Sequence, residues 1–342
     1  MTTLYVTKPG SLVEISHRQF RVCYQQQTLE QIPIEQVTQI VLFTLTNLSR
    51  KAEVVILSRQ IPVLFLSYQG VCLGRLEPQQ QHQKKYWMQQ VKCSQKTKFT
   101  RTVAESIIRA KLYNNHSLLL QLNHGNYTCE TYQALEMLEI LLKDLPAAKS
   151  VDELRGYDDT ADNLYYQALF DILAVTFFPT DVIGNLLNLG YALLHQQMVV
   201  IIAQQGMESQ ISHLYPSTYH QLPLACDLMA EFRAPMVDKL VADLFTSVVL
   251  TLNDFTYLDE RGHHLSVPPH TVQKFIQYWE QKLESKVTHP YAGKVTYRHC
   301  LELQVQQYLA FLLGEVGCYR TFLGEKPRKR KQVTTAHRCI TF

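Results

Sequence analysis

Acidic residues at short spacing are the side chains of this 342-residue chain most able to do chemistry. Asp158, Asp159 and Asp162 fall within the segment 154–169, and Asp227 and Glu231 within 226–233. Asp227 and Glu231 are four residues apart, which places them on one face of a helix. Before them runs a Tyr- and Pro-containing stretch, 206–223, with His213, Tyr215, Tyr219 and His220. Two readings of the acids stand side by side. Hard oxygen donors hold divalent cations. Acids that open a helix cap its free N–H groups and offset its dipole. A lone loop histidine is more often a surface residue than a ligand, and loop tyrosines either pack or stack on an extruded base. Lys96, Lys98, Arg101, Arg109 and Lys111 share one segment, which reads as a phosphate-contacting stripe or as a wet helix face. No phosphate-binding glycine loop, no G-x-G-x-x-G and no H-E-x-x-H occurs, and no Ser, His and Asp set forms a local motif.

The elements that must position these residues divide by pattern. Segments 4–7, 12–15, 20–24, 29–34 and 40–43 are rich in β-branched and aromatic residues and read as strands. A helix is predicted over 48–59, followed by strands at 63–66 and 71–76 around a Tyr68-Gln69-Gly70 turn. Residues 79–97 are Gln-rich and polar, which predicts a linker. Helices are predicted at 100–122, 129–144, 160–175, 184–205, 227–249, 270–287 and 295–315, with Pro235 kinking or dividing the fifth. The fold class is therefore α+β. A small β-rich domain (1–78) leads through the linker to a larger all-α domain (98–318) and a basic tail (319–342). Such an architecture alone names no function.

Composition narrows the classes. With 46% hydrophobic and 18% charged residues, the chain is neither disordered nor fibrous. The overall charge of +3 hides a basic start, an acidic middle and a basic end that carries five Lys/Arg within 326–331. Basic ends suit a polyanion partner, and an acidic middle argues against coating that whole region with phosphate backbone. Eight cysteines are scattered without a C-x-x-C pair, which fits free thiols in a reducing cytoplasm. The first residues lack a signal-peptide core, and the longest apolar stretch, 186–203, is interrupted by His195, Gln196 and Gln197. A soluble, cytoplasmic protein without a membrane partner is expected.

Ordered motifs add a resemblance. Leu4-Tyr5-Val6, then Ile61-Pro62-Val63-Leu64-Phe65-Leu66-Ser67 with Gly70, Gly74 and Leu76, open the series. Lys111 and Asn114, Leu154-Arg155-Gly156, and Asp181 with Leu186-Leu187 and Gly190-Tyr191-Ala192-Leu193-Leu194 continue it. Asp227-Leu228-Met229, Glu231-Phe232-Arg233, His289-Pro290, and Tyr297-Arg298 with Glu302-Leu303-Gln304 complete it. Together they make the chain similar, over nearly its whole length, to the CRISPR-associated spacer-acquisition integrase and endonuclease family ("Cas-one").

The resemblance implies a homodimer formed through the β domain, and a small "Cas-two" adaptation subunit as partner. The implied substrates are double-stranded or branched DNA, protospacer and CRISPR repeat. It implies Mg²⁺ or Mn²⁺ in the helical domain, activating a 3′-hydroxyl for attack on a phosphodiester. Arg155, beside the family's first catalytic position, joins the basic stripe as a nucleic-acid contact.

At the implied site this chain departs from the pattern. The family glutamate falls on Asp158, one methylene shorter, a retreat of roughly 1.5 Å. The family histidine falls on Tyr215, a poor ligand for hard cations when neutral, and a further family acid falls on Ala230. An asparagine of the family falls on Gly184, and an arginine-rich loop is missing. Two functions follow. One is a non-catalytic relative that keeps the fold and binds DNA around a degraded or remodelled metal site. The other is an active metal-dependent endonuclease or integrase using Asp158, Asp227 and Glu231, with His213 as a substitute ligand. The substitutions at Tyr215 and Ala230 favour the first.

Overall fold

The structure, a computed structural model, describes residues 2–77, 83–123, 128–174, 180–216, 222–257 and 265–324. The N-terminal part contains β1 (Thr2–Val6), β2 (Leu12–Ser16), β3 (Gln19–Tyr24), β4 (Gln27–Pro33), β5 (Val37–Phe43) and β6 (Asn47–Leu48). Helix α1 (Arg50–Ser58), β7 (Val63–Leu66) and β8 (Cys72–Leu76) complete it. The strands form two four-stranded sheets, ordered β4-β3-β2-β6 and β1-β5-β7-β8. In the second sheet β5 runs parallel to β1 and to β7, and β8 closes the edge antiparallel to β7.

Period-two alternation along that sheet decides where the two cores lie. Leu4, Val6, Ile40, Leu42 and Val63 face a small core shared with Val13, Phe20 and Ile56 of the β region. Their neighbours Val41, Phe43, Leu64 and Leu66 face the large core of the helical part. One sheet is thus covered on both faces, as its near-continuous apolar runs require.

The segment expected as a linker is corrected in part. Residues 84–94 form helix α2 (Lys84–Ser94), docked in part by side-chain amides. Gln90 is fully buried; its Nε2 donates to the Glu208 carbonyl at 2.8 Å, and its Oε1 accepts from the Glu208 N–H at 2.8 Å. Gln89 donates to the Leu312 carbonyl at 2.8 Å. Cys93 and Tyr86 on the same face join the large core.

Helices α3 (Thr97–Leu122), α4 (Cys129–Asp144), α5 (Val151–Ala174) and α6 (Thr180–Gln204) build the helical body. Helix α6 is long and apolar enough to span a membrane, yet 78% of its most apolar window is buried inside the protein. The predicted helix 227–249 breaks up as its proline requires. Helix α7 (Pro223–Met229) passes through a 3₁₀ turn (Ala230–Phe232) and a π-helical turn (Arg233–Asp238) containing Pro235, then into α8 (Lys239–Thr246). Proline offers no N–H to an i−4 carbonyl, so the ladder widens there. Strands β9 (Thr256–Tyr257) and β10 (Leu265–Ser266) form a short pair. Helix α9 (Pro269–Glu284), the hairpin of β11 (Lys286–His289) and β12 (Gly293–Thr296), and α10 (Tyr297–Leu313) follow.

The turn between β7 and β8 presses on α6. Gly70 has φ +79°, and a Cβ there would lie 2.2 Å from the Leu189 backbone nitrogen. Only glycine serves at such a contact, since an L-residue would add backbone strain to a clash with helix backbone. Gly70→Ala is therefore expected to cost at least about 2 kcal/mol and to loosen the sheet from α6. Chemical denaturation checks this; an unchanged midpoint and slope would mean the turn does not bear on the helix.

Candidate functional site

Helices α3 and α5 pack side by side and carry the centre of the site. Asp158 and Asp162 are four residues apart on α5, on one face, and Lys111 of α3 reaches between them. The Lys111 ammonium donates to Asp158 Oδ1 at 2.8 Å and to Asp162 Oδ2 at 2.7 Å. Tyr215, on the stretch after α6, donates its hydroxyl to Asp158 Oδ2 at 2.7 Å and lies 3.5 Å from the ammonium. Lys111 is 1% exposed and Asp158 3%. Burial alone would discharge the lysine, but Asp158, Tyr215 and Asp162 outweigh it and hold its pKa well above the usual value. Burial raises the Asp162 carboxyl, and Lys111 opposes that shift.

This corrects the capping reading of the acids. Helix α5 begins at Val151, a turn and more earlier than expected, so Asp158 and Asp162 lie well inside it and cap nothing. Asp159 is exposed on the other side.

The remaining expected ligands do not join them. Asp227 lies inside α7, fully buried, and accepts three backbone N–H groups: His213 at 2.7 Å and Leu214 at 3.1 Å on Oδ2, Tyr215 at 3.0 Å on Oδ1. It anchors the stretch that presents Tyr215. Burial lifts its pKa to about 7 against the pull of those donors.

Glu231, in the 3₁₀ turn, is directed to the C-terminal segment. It accepts from the Tyr319 hydroxyl at 2.7 Å, from the Phe322 N–H and from Gln304 Nε2 at 3.4 Å, and burial pushes its pKa to about 8. His213 shares a 2.7 Å hydrogen bond with the Tyr308 hydroxyl and packs edge-on to Phe99. Burial drops its pKa to about 4. Ala230 is buried and offers no donor atom. Tyr219, His220 and the basic run 326–331 lie outside the described residues.

The basic stripe does not form a continuous surface either. Lys96 and Lys98 are exposed. Arg101 donates to the Ala148 carbonyl at 2.8 Å and the Pro146 carbonyl at 3.1 Å, and Arg109 pairs with Glu105 at 2.7 Å. Lys111 is interior, and Arg155 donates to the Leu214 carbonyl at 2.6 Å while pairing with Asp152. Arg155 and Asp227 thus hold the Tyr215 stretch from two sides.

Arg233 and Tyr191, quoted above only as parts of motifs, and Asp238 and Tyr165, not singled out from sequence, also take part. The Arg233 guanidinium packs over the Tyr191 ring, 5.5 Å from its centroid. Asp238 accepts from Tyr165 at 2.7 Å and from Tyr191. Only the i, i+4 spacing of Asp158 and Asp162 opposite a helical lysine hinted at a buried cluster.

These donors do not fit a divalent metal. Both oxygens of Asp158 and both of Asp227 are taken, and an ammonium occupies the space between the α5 carboxylates. Among the described residues no group of three His, Cys, Asp or Glu side chains is placed to hold a metal ion. A cation with ligands at 2.0–2.6 Å on Asp158 would have to displace both the Lys111 ammonium and the Tyr215 hydroxyl from its oxygens.

Residues 4–281 match the family model of CRISPR associated protein Cas1. The chain is 26% identical over 339 residues to CRISPR-associated endonuclease Cas1 1 of Thermus thermophilus, covering 94% of this chain and 98% of that one. It is 30% identical over 196 residues to Cas1 3 of the same organism, covering 55% of this chain and 58% of that relative's length. A casposase bound to integration product superposes with TM-score 0.81 at 18% identity, over 97% of this chain and 96% of that one. A chain of a Cas6-RT-Cas1–Cas2 complex gives TM-score 0.81 at 20% identity, over 96% of this chain and 36% of that longer one.

Two predictions follow from the geometry. Lys111→Met keeps the bulk but strands Asp158 and Asp162, and is expected to cost about 3–5 kcal/mol by denaturant titration at neutral pH. A loss below ~1 kcal/mol would mean that the ammonium does not neutralise the acids. The second concerns Glu231, whose folded pKa of about 8 exceeds its ordinary 4.5. The folded chain binds the extra proton, so this stability is full below pH 4.5 and is lost as pH rises to about 8. His213 works oppositely, its lowered pKa destabilising the fold as pH falls from 6.5 towards 4. Between pH 6.5 and 8 the acids dominate and Tm is expected to fall. Glu231→Gln should flatten that fall, and an unaltered slope would remove Glu231 as its source.

Proposed function

The chain belongs to the CRISPR-associated Cas1 family, and from that membership we propose that it is a DNA-binding spacer-acquisition subunit whose metal-dependent centre has been replaced by a buried ion-pair cluster. The observation that carries this reading is the Lys111 ammonium seated between Asp158 and Asp162, with Tyr215 closing the second oxygen of Asp158. Chemistry of this class needs carboxylate oxygens open to a hard cation on one side and to a phosphodiester on the other. Here Asp158 is buried and both of its oxygens are engaged, by Lys111 and by Tyr215. Ala230 leaves a further family position without a ligand atom.

What remains is a complete fold with exposed Lys96 and Lys98, and the partners follow from membership. The partners in this reading are protospacer-like or branched DNA, a second copy docked through the β region, and a small Cas2-type subunit. The similarity to a chain of a Cas6-RT-Cas1–Cas2 complex and to a casposase bound to integration product supports the small subunit and the nucleic acid. All of these are cytoplasmic functions. The subunit would position DNA in adaptation while an active relative supplies turnover.

The alternative, an active nuclease built on Asp158, Asp227, Glu231 and His213, would require four groups now committed to separate partners to reassemble. The deciding experiment is cleavage and strand transfer on branched and protospacer-like DNA with Mg²⁺ or Mn²⁺. The wild type and the Asp158→Ala/Asp227→Ala double variant are expected to remain equally at background while the wild type retains DNA. Metal-dependent turnover that disappears in the double variant would overturn the proposal in favour of the remodelled active site.

A further inference from the structure

A second charged place lies between the edge of the sheet and the helices. A cavity of about 490 Å³ is lined by Arg75 of β8, Asn188, Tyr191 and His195 of α6, Cys226 of α7, and Arg233 of the π-helical turn. That volume lies in the range of small-ligand sites. No carboxylate lines it. Arg21, Arg109 and Arg298 each sit in an ion pair, whereas among the described residues Arg75 and Arg233 sit in none.

Their donors are also left over. Arg75 Nη2 shares a 2.8 Å hydrogen bond with His195 Nδ1, but Arg75 Nε, Arg75 Nη1 and Arg233 Nε are shielded from solvent without an acceptor among the described residues. An anion in the cavity would meet two guanidiniums that no carboxylate neutralises, and a small turn of either side chain would bring its leftover N–H groups to that anion. Both guanidiniums bear on the Cys226 thiol: burial raises its pKa to about 11, and Arg233 and Arg75 each pull it down. The two cations therefore converge on one spot.

We propose that this cavity is a binding site for a phosphate monoester, held between Arg75 and Arg233. Two planar guanidinium forks match the oxygens of a phosphate, and each presents more donors than a carboxylate can use. The space exceeds a bare phosphate, and Tyr191, Met229 and Ala192 supply a wall for an attached sugar or base. A free nucleotide and the phosphorylated end of a DNA strand share this chemistry. The proposal goes beyond the function proposed above and does not require it, because a mononucleotide can be bound without any duplex.

The test uses the full chain. Thermal unfolding is followed with inorganic phosphate or AMP against chloride at matched ionic strength. Fluorescence anisotropy then compares one oligonucleotide bearing a 5′-phosphate, a 3′-phosphate or neither. Arg75→Gln removes one fork at the solvent-facing edge strand, and Arg75→Lys keeps the charge without the fork. In the wild type AMP is expected to raise Tm, and one phosphorylated end to bind about tenfold tighter than the unphosphorylated strand. Both effects should vanish in Arg75→Gln and recover only in part in Arg75→Lys. An AMP effect without an end preference would support the site and assign it to free nucleotides. No phosphate effect in the wild type, or an effect untouched by Arg75→Gln, would overturn it. In that case retained binding of the unphosphorylated strand would leave the DNA-binding reading standing, whereas an AMP effect without strand binding would leave the site standing alone.

Discussion

One ammonium group organises the interior of the helical part. Lys111 brings a full positive charge into a place where only 1% of the residue is exposed, and that is tolerable only because Asp158 and Asp162 lie within 2.8 Å. A buried cation without such partners would shift its pKa and discharge. The two carboxylates depend on it equally. The pairing fixes the rotation of α5 against α3, because both acids must face the lysine. It also fixes where the Tyr215 stretch can lie, because the Tyr215 hydroxyl is the donor for the second Asp158 oxygen. An ionic cluster of this kind adds little net stability over an apolar core, but it tolerates few alternative registers.

The other acids of the family pattern have become scaffolding by the same logic. A buried carboxylate must have donors, and each of these has drawn its own from backbone. Asp227 takes three consecutive N–H groups from His213, Leu214 and Tyr215, which makes it a clamp on the chain that carries Tyr215. Glu231 takes the Phe322 N–H and the Tyr319 hydroxyl. One residue turn away, Asn114 of α3 holds the same segment, donating to the Phe322 carbonyl at 3.1 Å and accepting from the Gly324 N–H at 2.8 Å. The residue types that suit a metal are kept, but their lone pairs are spent on holding loops. Counting acids in a sequence does not distinguish these uses; only the direction of the donors does.

Much of the fold was nonetheless legible. The strands of the β region announced themselves through β-branched and aromatic runs, and the helix at Cys129–Asp144 was expected at its observed ends. It has an apolar face and a capping Thr128, whose hydroxyl accepts from the Thr131 N–H at 3.1 Å. The misreadings have physical causes. Helix α2 is anchored by Gln89 and Gln90 beside Cys93, so part of its docked face is polar and reads as solvated in the sequence. The first turns of α5 contain Arg155-Gly156-Tyr157-Asp158-Asp159, a polar run with a glycine, which reads as a loop opening a helix when it is already inside one. The basic stripe failed because arginines at helical spacing can as well satisfy carbonyls at the end of a neighbouring helix, as Arg101 does at Ala148. That Tyr215 and Ala230 are poor ligands was readable from their types; the seating of Lys111 between Asp158 and Asp162 was not, because it needs two helices in register.

The cluster and the arginine-lined cavity are joined through the π-helical turn. Arg233 lies on the cavity wall, and its charge also acts on Asp162, Tyr215 and Tyr191. Arg233 opens the wide turn that contains Pro235, directly after the 3₁₀ turn Ala230–Phe232. On the far wall, Arg75 is carried by an edge strand whose preceding turn is pressed onto α6 at Gly70. The cavity is therefore spanned by one cation from each half of the protein. A charge that enters it would be felt by the sheet edge through Arg75 and by the Lys111 cluster through Arg233.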